Sequence, residues 1–159
     1  MAAQQTIDLL KQKMNFNYPT TVRFQCIKCG ICCGDTKEKT RHILLLKTEA
    51  EQIATATSQP TAAFTIKTKN KTPYNYEIKK TEEGKCIFLE NNRCTIYATR
   101  PLICRFYPFE LKIAHNGKHT FLYTNECPGI NKGPILSKNY FRKLLRLART
   151  QTADPKRAS

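Results

Sequence analysis

The chain has 159 residues, eight of them cysteine, and its 27 Lys and Arg against 12 Asp and Glu leave a formal charge of +15. That length suits one domain, burying about two-thirds of the surface of its unfolded chain, and no apolar run approaches the ~20 residues that span a bilayer. No internal repeat of fixed period is present, which excludes the solenoid and propeller classes. The segment Met1 to Lys11 has no basic leader, no continuous apolar stretch and no small-residue cleavage site. A soluble protein in a reducing cytoplasm is therefore expected, and a disulfide framework lacks its oxidising compartment.

In chain order, Ile7, Leu10 and Met14 recur at helical spacing and predict a short amphipathic helix over Gln5 to Lys13, ended by Pro19. Val22 to Gln25 reads as an extended entry to a cysteine turn. His42 to Leu46 reads as a strand, and Thr48-Glu-Ala-Glu51 as a capping box opening a helix to about Ala56. Lys67 to Pro73, polar and basic, reads as an exposed loop, and Tyr74 to Lys79 alternates as a strand does. Cys86 to Leu89 and Cys94 to Tyr97 flank a tight turn, a hairpin that brings Cys86 near Cys94.

Thr99 to Phe106 has the form of one helical turn, capped by Thr99, opened by Pro101 and projecting Cys104. Phe109 to Ile113 and Thr120 to Thr124 flank Asn116-Gly117, the signal of a second hairpin with a two-residue turn. Cys127-Pro128-Gly129 reads as an irregular loop. Ser137 caps a helix over residues 137–149, with Tyr140, Phe141, Leu144, Leu145 and Ala148 on the apolar side and Lys138, Arg142, Lys143, Arg146 and Arg149 on the other. Residues 150–159 read as a flexible tail, leaving 1–149 as a single domain around a motif region at 22–133. The expected class is α+β: short antiparallel strands and hairpins with peripheral helices, stapled by metal.

The cysteines carry the chemistry. Cys26, Cys29, Cys32 and Cys33 lie within eight residues, and a fold must return Cys86, Cys94, Cys104 and Cys127 to them. Two thiols two residues apart can grip one ion from a tight turn, and eight thiolates divide naturally into two closed four-ligand sites, with one such site the simpler alternative. Neighbouring residues of an extended segment point to opposite sides, so Cys32 and Cys33 suit two centres, or one centre and the core, better than one small ion, a constraint that a larger iron–sulfur cluster relaxes.

The joint pattern Phe24-x-Cys26-x-x-Cys29-Gly30-x-Cys32-Cys33, Cys86-x-Phe88-Leu89, Cys94-x-Ile96-Tyr97, Arg100-Pro101-x-x-Cys104-Arg105-x-Tyr107-Pro108-Phe109 and Cys127-Pro128-Gly129 resembles the zinc- or iron-chelating cysteine-cluster domain family, often called YkgJ-like. The likeness runs from about Phe24 to Gly133. It implies a chelated zinc or iron, most members having no assigned reaction. One branch with a similar cluster is the flagellin lysine N-methylase group, iron–sulfur proteins that move a methyl group from S-adenosylmethionine. That activity, acting on a protein substrate, is the alternative function, since no added segment plainly holds S-adenosylmethionine or a peptide.

Thiolates suit both metals. Cys-x-x-Cys-x-x-Cys matches the first three ligands of bacterial ferredoxins and Cys127-Pro128 their terminus, although the next thiol follows without the usual gap, and paired Cys-x-x-Cys knuckles would be the commoner zinc signature. The balance favours a [4Fe–4S] cluster over zinc alone. Arg100 and Arg105 bracket Cys104, where a guanidinium can donate to sulfur and offset its charge. Tyr97, Tyr107 and Phe109 read as core packing, His42 as a packed or strand-edge residue, and His115 and His119 as exposed. No nucleophile–base pattern supports a hydrolase.

The positive charge fits a polyanion such as RNA or a ribonucleoprotein, with Lys138, Arg142, Lys143, Arg146 and Arg149 as the contact face. Two four-thiolate sites at about −2 each would bring the net charge nearer about +11, and the basic bias survives. A structural metal with an RNA-binding face, a redox or group-transfer enzyme, and a metal carrier or sensor are the functions that follow.

Overall fold

The computed structural model describes residues 15–152. The helix expected over Gln5 to Lys13 lies outside them, as do residues 153–159. In chain order the elements are β1 (Phe16–Asn17), β2 (Arg23–Phe24), a 3-10 turn at Ile31–Cys33, β3 (Leu44–Leu45), α1 (Lys47–Thr57), α2 (Thr61–Phe64), β4 (Thr65–Lys67) and β5 (Tyr76–Ile78). They continue with β6 (Leu89–Glu90), β7 (Arg93–Cys94), a 3-10 turn at Tyr97–Thr99, α3 (Leu102–Phe106), β8 (Phe109–Ile113), β9 (His119–Tyr123), β10 (Ile130–Ile135) and α4 (Lys138–Thr152). Short strands with helices outside them make the class α+β, as expected.

Two apolar clusters organise these pieces. The first gathers Phe16, Val22, Phe109, Phe121, Ile130, Phe141 and Leu145, with Leu102 and Phe106 from α3. Phe141 is its centre, with ring centroids 5.0 Å from Phe109 and 5.1 Å from Phe121, and no exposed surface. The second gathers Ile43, Leu45, Ile53, Phe64, Ile78, Phe88 and Ile96. Strand order follows this division. β1-β9-β8 and β10-β2 border the first cluster, while β3-β5-β4 and the ribbon β6-β7 border the second.

The helix read from Ser137 forms as expected: the Ser137 hydroxyl accepts from the Tyr140 N–H at 3.3 Å. Phe141, Leu144 and Leu145 are buried while Lys138, Lys143, Arg146 and Arg149 are exposed. It runs on to Thr152, so residues 150–152, expected in the tail, are helical. The hairpin β8–β9 also stands, paired from Phe109↔Tyr123 to Ile113↔His119. Its turn is longer than the two residues expected, because Gly117 alone takes a positive φ while Asn116 does not. The loop is His115-Asn116-Gly117, closed by Ala114 N–H to Lys118 O at 2.9 Å, a three-residue form that needs one left-handed glycine.

Other expectations shift. The ribbon pairs Leu89 with Cys94 around Asn91 and Asn92, both at positive φ, so Cys86 stands before the strand and reaches it through Leu89 N–H to Cys86 O at 3.0 Å. α1 starts at Lys47 rather than Thr48, and Glu49 in place of Glu51 closes its first turn on the Leu46 N–H at 2.9 Å. Thr99 does not cap the next helix; its hydroxyl donates back to Ile96 O at 3.2 Å. Cys127-Pro128-Gly129 is the irregular loop expected, but a strand not expected, β10, follows it from Ile130, and the basic loop expected from Lys67 begins with the end of β4. Strand pairing is not all antiparallel, since β1 lies parallel to β9.

Candidate metal centre

Backbone hydrogen bonds return the distant cysteines to the first four. The Cys86 N–H donates to Cys33 O at 2.6 Å, and Asp35 N–H to Gly84 O at 2.9 Å. Gly34 makes this approach possible, because a Cβ there would stand 2.5 Å from Lys85 Cδ and 2.9 Å from Gly84 O. On the other side, Gln25 N–H donates to Gly129 O at 3.1 Å, and a Cβ on Gly129 would stand 2.5 Å from Gln25 O. The cysteine turn is thus docked at both ends, to the Cys86 segment and to the Cys127 segment.

The thiols that result are all free. Cys26 is exposed, and its Sγ accepts the Lys28 N–H at 3.4 Å, a contact that curls the chain around the sulfur. Cys32 and Cys33 sit on the 3-10 turn with their Sγ atoms 3.9 Å apart. The extended backbone assumed for that pair is absent, so the two thiols do not diverge. Cys33, Cys94 and Cys104 pack against the second apolar cluster beside buried Cys86, and buried Cys127 belongs to the first. Among the described residues, no three His, Cys, Asp or Glu side chains are already gathered as a metal sphere.

Electrostatics nonetheless ties the thiols together. Burial holds the thiols of Cys86, Cys94 and Cys127 above their ordinary value and pushes Cys104 up to about 12. Cys32 is raised by its hydrogen bond with Cys33 and then by burial. Its sulfur lies within electrostatic reach of Cys86, Cys94, Cys104 and Cys127, while Cys127 also feels Cys29. Neutral thiols here favour burial; a soft cation would favour the thiolates.

One cation beside the thiols is one that the spacing of the motif did not single out. Arg41 donates from Nε to Cys32 O at 3.1 Å, and its guanidinium carbon lies 5.1 Å from the centre of the Tyr107 ring. It lowers the pKa of Cys32 and Cys104, against the effects that raise them. Its Nη2 and the Tyr107 hydroxyl are buried without a hydrogen-bond partner, and both residues line a narrow cleft with Cys32, Thr36, Lys39 and Glu126. Arg41 sits eight residues past the cysteine run, and only the folded loop, tied by Arg41 N–H to Asp35 Oδ1 at 2.7 Å and by Lys80 Nζ to Asp35 Oδ1 and Arg41 O, turns it inward.

Arg100 and Arg105 are engaged with backbone. Arg105 Nε donates to Arg100 O at 2.9 Å, and Arg100 Nε to Tyr97 O at 3.1 Å. Arg100 also stacks its guanidinium 3.7 Å from the centre of the Tyr97 ring, while lying near enough to Cys94 to lower its pKa. Tyr97 is exposed rather than part of the core. His42 is exposed too, at a strand edge, with Nδ1 2.7 Å from Glu77 Oε1.

All eight donors are soft sulfur, two of them vicinal, with a guanidinium beside them whose Nη2 is buried and lacks an acceptor; this set fits zinc or iron. Comparison with known proteins agrees. The chain is 34% identical over 104 residues to Uncharacterized protein MJ0661 of Methanocaldococcus jannaschii, covering 61% of this chain and 51% of that protein, so the chain spans about half the length of that relative. No solved structure matches the chain. Among the described residues, no helix is long and apolar enough to cross a membrane. A family model described as "Putative zinc- or iron-chelating domain" matches residues 25–128, the span from the cysteine turn to Cys127-Pro128, and the chain belongs to this CxxCxxCC family.

Proposed function

We propose that the chain binds zinc or iron through cysteine thiolates, with the eight cysteines as its ligands and the metal joining the two apolar clusters. The observation that carries this reading is the docking of the cysteine turn onto both the Cys86 and the Cys127 segments, which brings thiols from the whole family-matched span within electrostatic reach of Cys32. Bound there, the metal supplies a cationic anchor for the thiolates. Cys26, Cys29, Cys32, Cys33, Cys86, Cys94, Cys104 and Cys127 would release their protons to solvent and hold it as thiolates. Anaerobic purification followed by metal and acid-labile sulfide analysis tests the reading. Stoichiometric zinc or iron supports it, sulfide with a visible absorption band identifies an iron–sulfur cluster, about four irons and four sulfides per cluster identify the [4Fe–4S] form, and a folded protein that takes up neither metal overturns it.

Arg41 has the geometry of a charge-compensating neighbour, since its buried Nη2 lies by Cys32 with no acceptor of its own. Arg41→Gln is expected to weaken metal affinity by about ten- to a hundredfold, the usual effect of removing an outer hydrogen-bond partner of a ligand. Arg105→Gln, whose Nε holds a backbone carbonyl, is expected to change it less. Competition with a chromophoric chelator measures both. Equal effects would remove the distinction.

A second observation favours RNA or a ribonucleoprotein as the partner of the same domain. α4 buries Phe141, Leu144 and Leu145 and exposes Lys143, Arg146 and Arg149 together, a stripe of cations on an ordered helix. Lys138 and half-buried Arg142 extend it. Single-stranded RNA is expected to bind with strong salt dependence, and replacing Lys143, Arg146 and Arg149 by Ala is expected to weaken it at least about tenfold at low salt. Each lost phosphate contact should also reduce the log–log salt slope by about 0.7. RNA affinity unchanged by the triple substitution would defeat this assignment.

A further inference from the structure

Eight thiols are twice what one four-coordinate ion takes, and the fold does not present them as one group. Cys33, Cys86, Cys94 and Cys104 all pack against the second apolar cluster, with Cys86 bonded through its backbone to Cys33. Cys127 lies in the first cluster, within reach of Cys29 and Cys32. Cys32 belongs to neither cluster and faces the cleft that also holds Glu126, the neighbour of Cys127. Cys26, at the outer end of the turn, is exposed. Each set of four thus holds one buried thiol, Cys86 or Cys127, with half-buried thiols beside it, and the sets differ in that the second ends on the exposed Cys26.

We propose, resting on the metal-binding reading above, that the thiols form two centres of unequal lability: a closed inner one on Cys33, Cys86, Cys94 and Cys104, and an outer one on Cys26, Cys29, Cys32 and Cys127 that exchanges its ion. The two meet at the vicinal pair, whose Sγ atoms are 3.9 Å apart. Two four-thiolate sites each carry about −2, so this junction concentrates negative charge. Arg41 stands there, with Nε on the Cys32 carbonyl and Nη2 buried and unpartnered. Through exposed Cys26 the outer centre has the accessibility that an exchangeable or transferable ion requires, while every thiol of the inner one packs in or against the second apolar cluster, as in a structural site.

The test uses the full reduced chain loaded with zinc and challenged with excess chromophoric chelator. Two zinc equivalents are expected, leaving in two phases whose rates differ at least about tenfold. Cys26→Ser and Cys29→Ser should each remove the fast phase and keep the slow one, with an unchanged far-ultraviolet circular dichroism spectrum. Cys94→Ser should remove the slow phase. A single equivalent leaving in one phase overturns the division, as does loss of both phases on Cys26→Ser. Loss of the slow phase on Cys32→Ser also overturns it, and would place the vicinal pair on one ion, whose thiolates stand about 3.8 Å apart in a tetrahedral site. Failure to bind any zinc or iron is a different outcome, and it refutes the metal-binding reading itself.

Discussion

Stripping the metal from the reduced protein at pH 7 is expected to dismantle the part of the fold around the second apolar cluster. A structural zinc site contributes about 10–16 kcal/mol in small thiolate domains, comparable with the whole ~5–15 kcal/mol of a typical domain. The second cluster is the more exposed to this loss. Four cysteines lie in or against it, and its strands are two or three residues long. The first cluster keeps its interlocked aromatic rings and the 15-residue helix α4. Hydrogen exchange should therefore show amide protection lost from Cys33 to Cys104 on chelation, with much of β8, β9 and α4 retained. Full protection of the whole chain without metal would refute the expectation.

Acidity separates the two states further. Burial holds Cys86, Cys94, Cys104 and Cys127 protonated in the metal-free fold, with Cys104 at about 12. An unfolded thiol titrates near 8.5 to 9, so their contribution to metal-free stability is complete below that pH and is lost as pH rises toward the folded values. The loaded protein behaves in the opposite sense. Metal uptake near pH 7 must displace protons from these thiols, so acidification favours metal loss and alkaline pH favours retention. Proton release on zinc addition in weak buffer, and opposite pH trends of thermal midpoint for the two forms, are the measurements.

How much of this was written in the chain varies with the range of the interaction. α4 was legible because its cap, its apolar stripe and its cationic face all lie within one run of 13 residues from Ser137. β8 and β9 were legible for the same local reason, although the sequence pair Asn116-Gly117 did not tell a two-residue from a three-residue loop. The eight thiols announced a metal by type and spacing. Partners set by tertiary structure were not legible: β1 beside β9 joins residues about a hundred apart, and β10 contains Gly133 and Pro134, both poor strand formers. Arg41 carries no local mark, whereas Arg100 and Arg105 drew attention by flanking Cys104, and the fold commits them to carbonyls of their own turn.

Glu49→Ala is expected to destabilise the metal-loaded protein by roughly 3–5 kcal/mol, more than any surface substitution. The reason is a pair of bonds from one buried carboxylate. Oε2 accepts the Leu46 N–H at 2.9 Å, closing the first turn of α1, and Oε1 accepts the Leu102 N–H at 2.6 Å, capping α3 from outside its own segment. A carboxylate that accepts two backbone donors in a nearly closed site, here 5% exposed, contributes charge-assisted bonds of about 1.5–3 kcal/mol each. Alanine leaves both N–H groups buried and unpaired. Pro101, the residue before α3, has no polar side chain to replace the cap, so the Leu102 N–H takes its acceptor from α1. The effect reaches the chemistry because Cys104 lies on the same short helix, two residues beyond Leu102. Glu49→Gln isolates the charge and the geometry: its amide offers one acceptor oxygen where two donors converge, so it should lose roughly half as much stability. Chemical denaturation of the loaded variants at pH 7 measures this, and each kcal/mol should lower the thermal midpoint by about 2–4 °C. Metal affinity should weaken in both variants as α3 loosens. A Gln variant as stable as the parent would mean that α3 is held by its packing on Leu102 and Phe106 alone, and that Glu49 is a bystander to the centre.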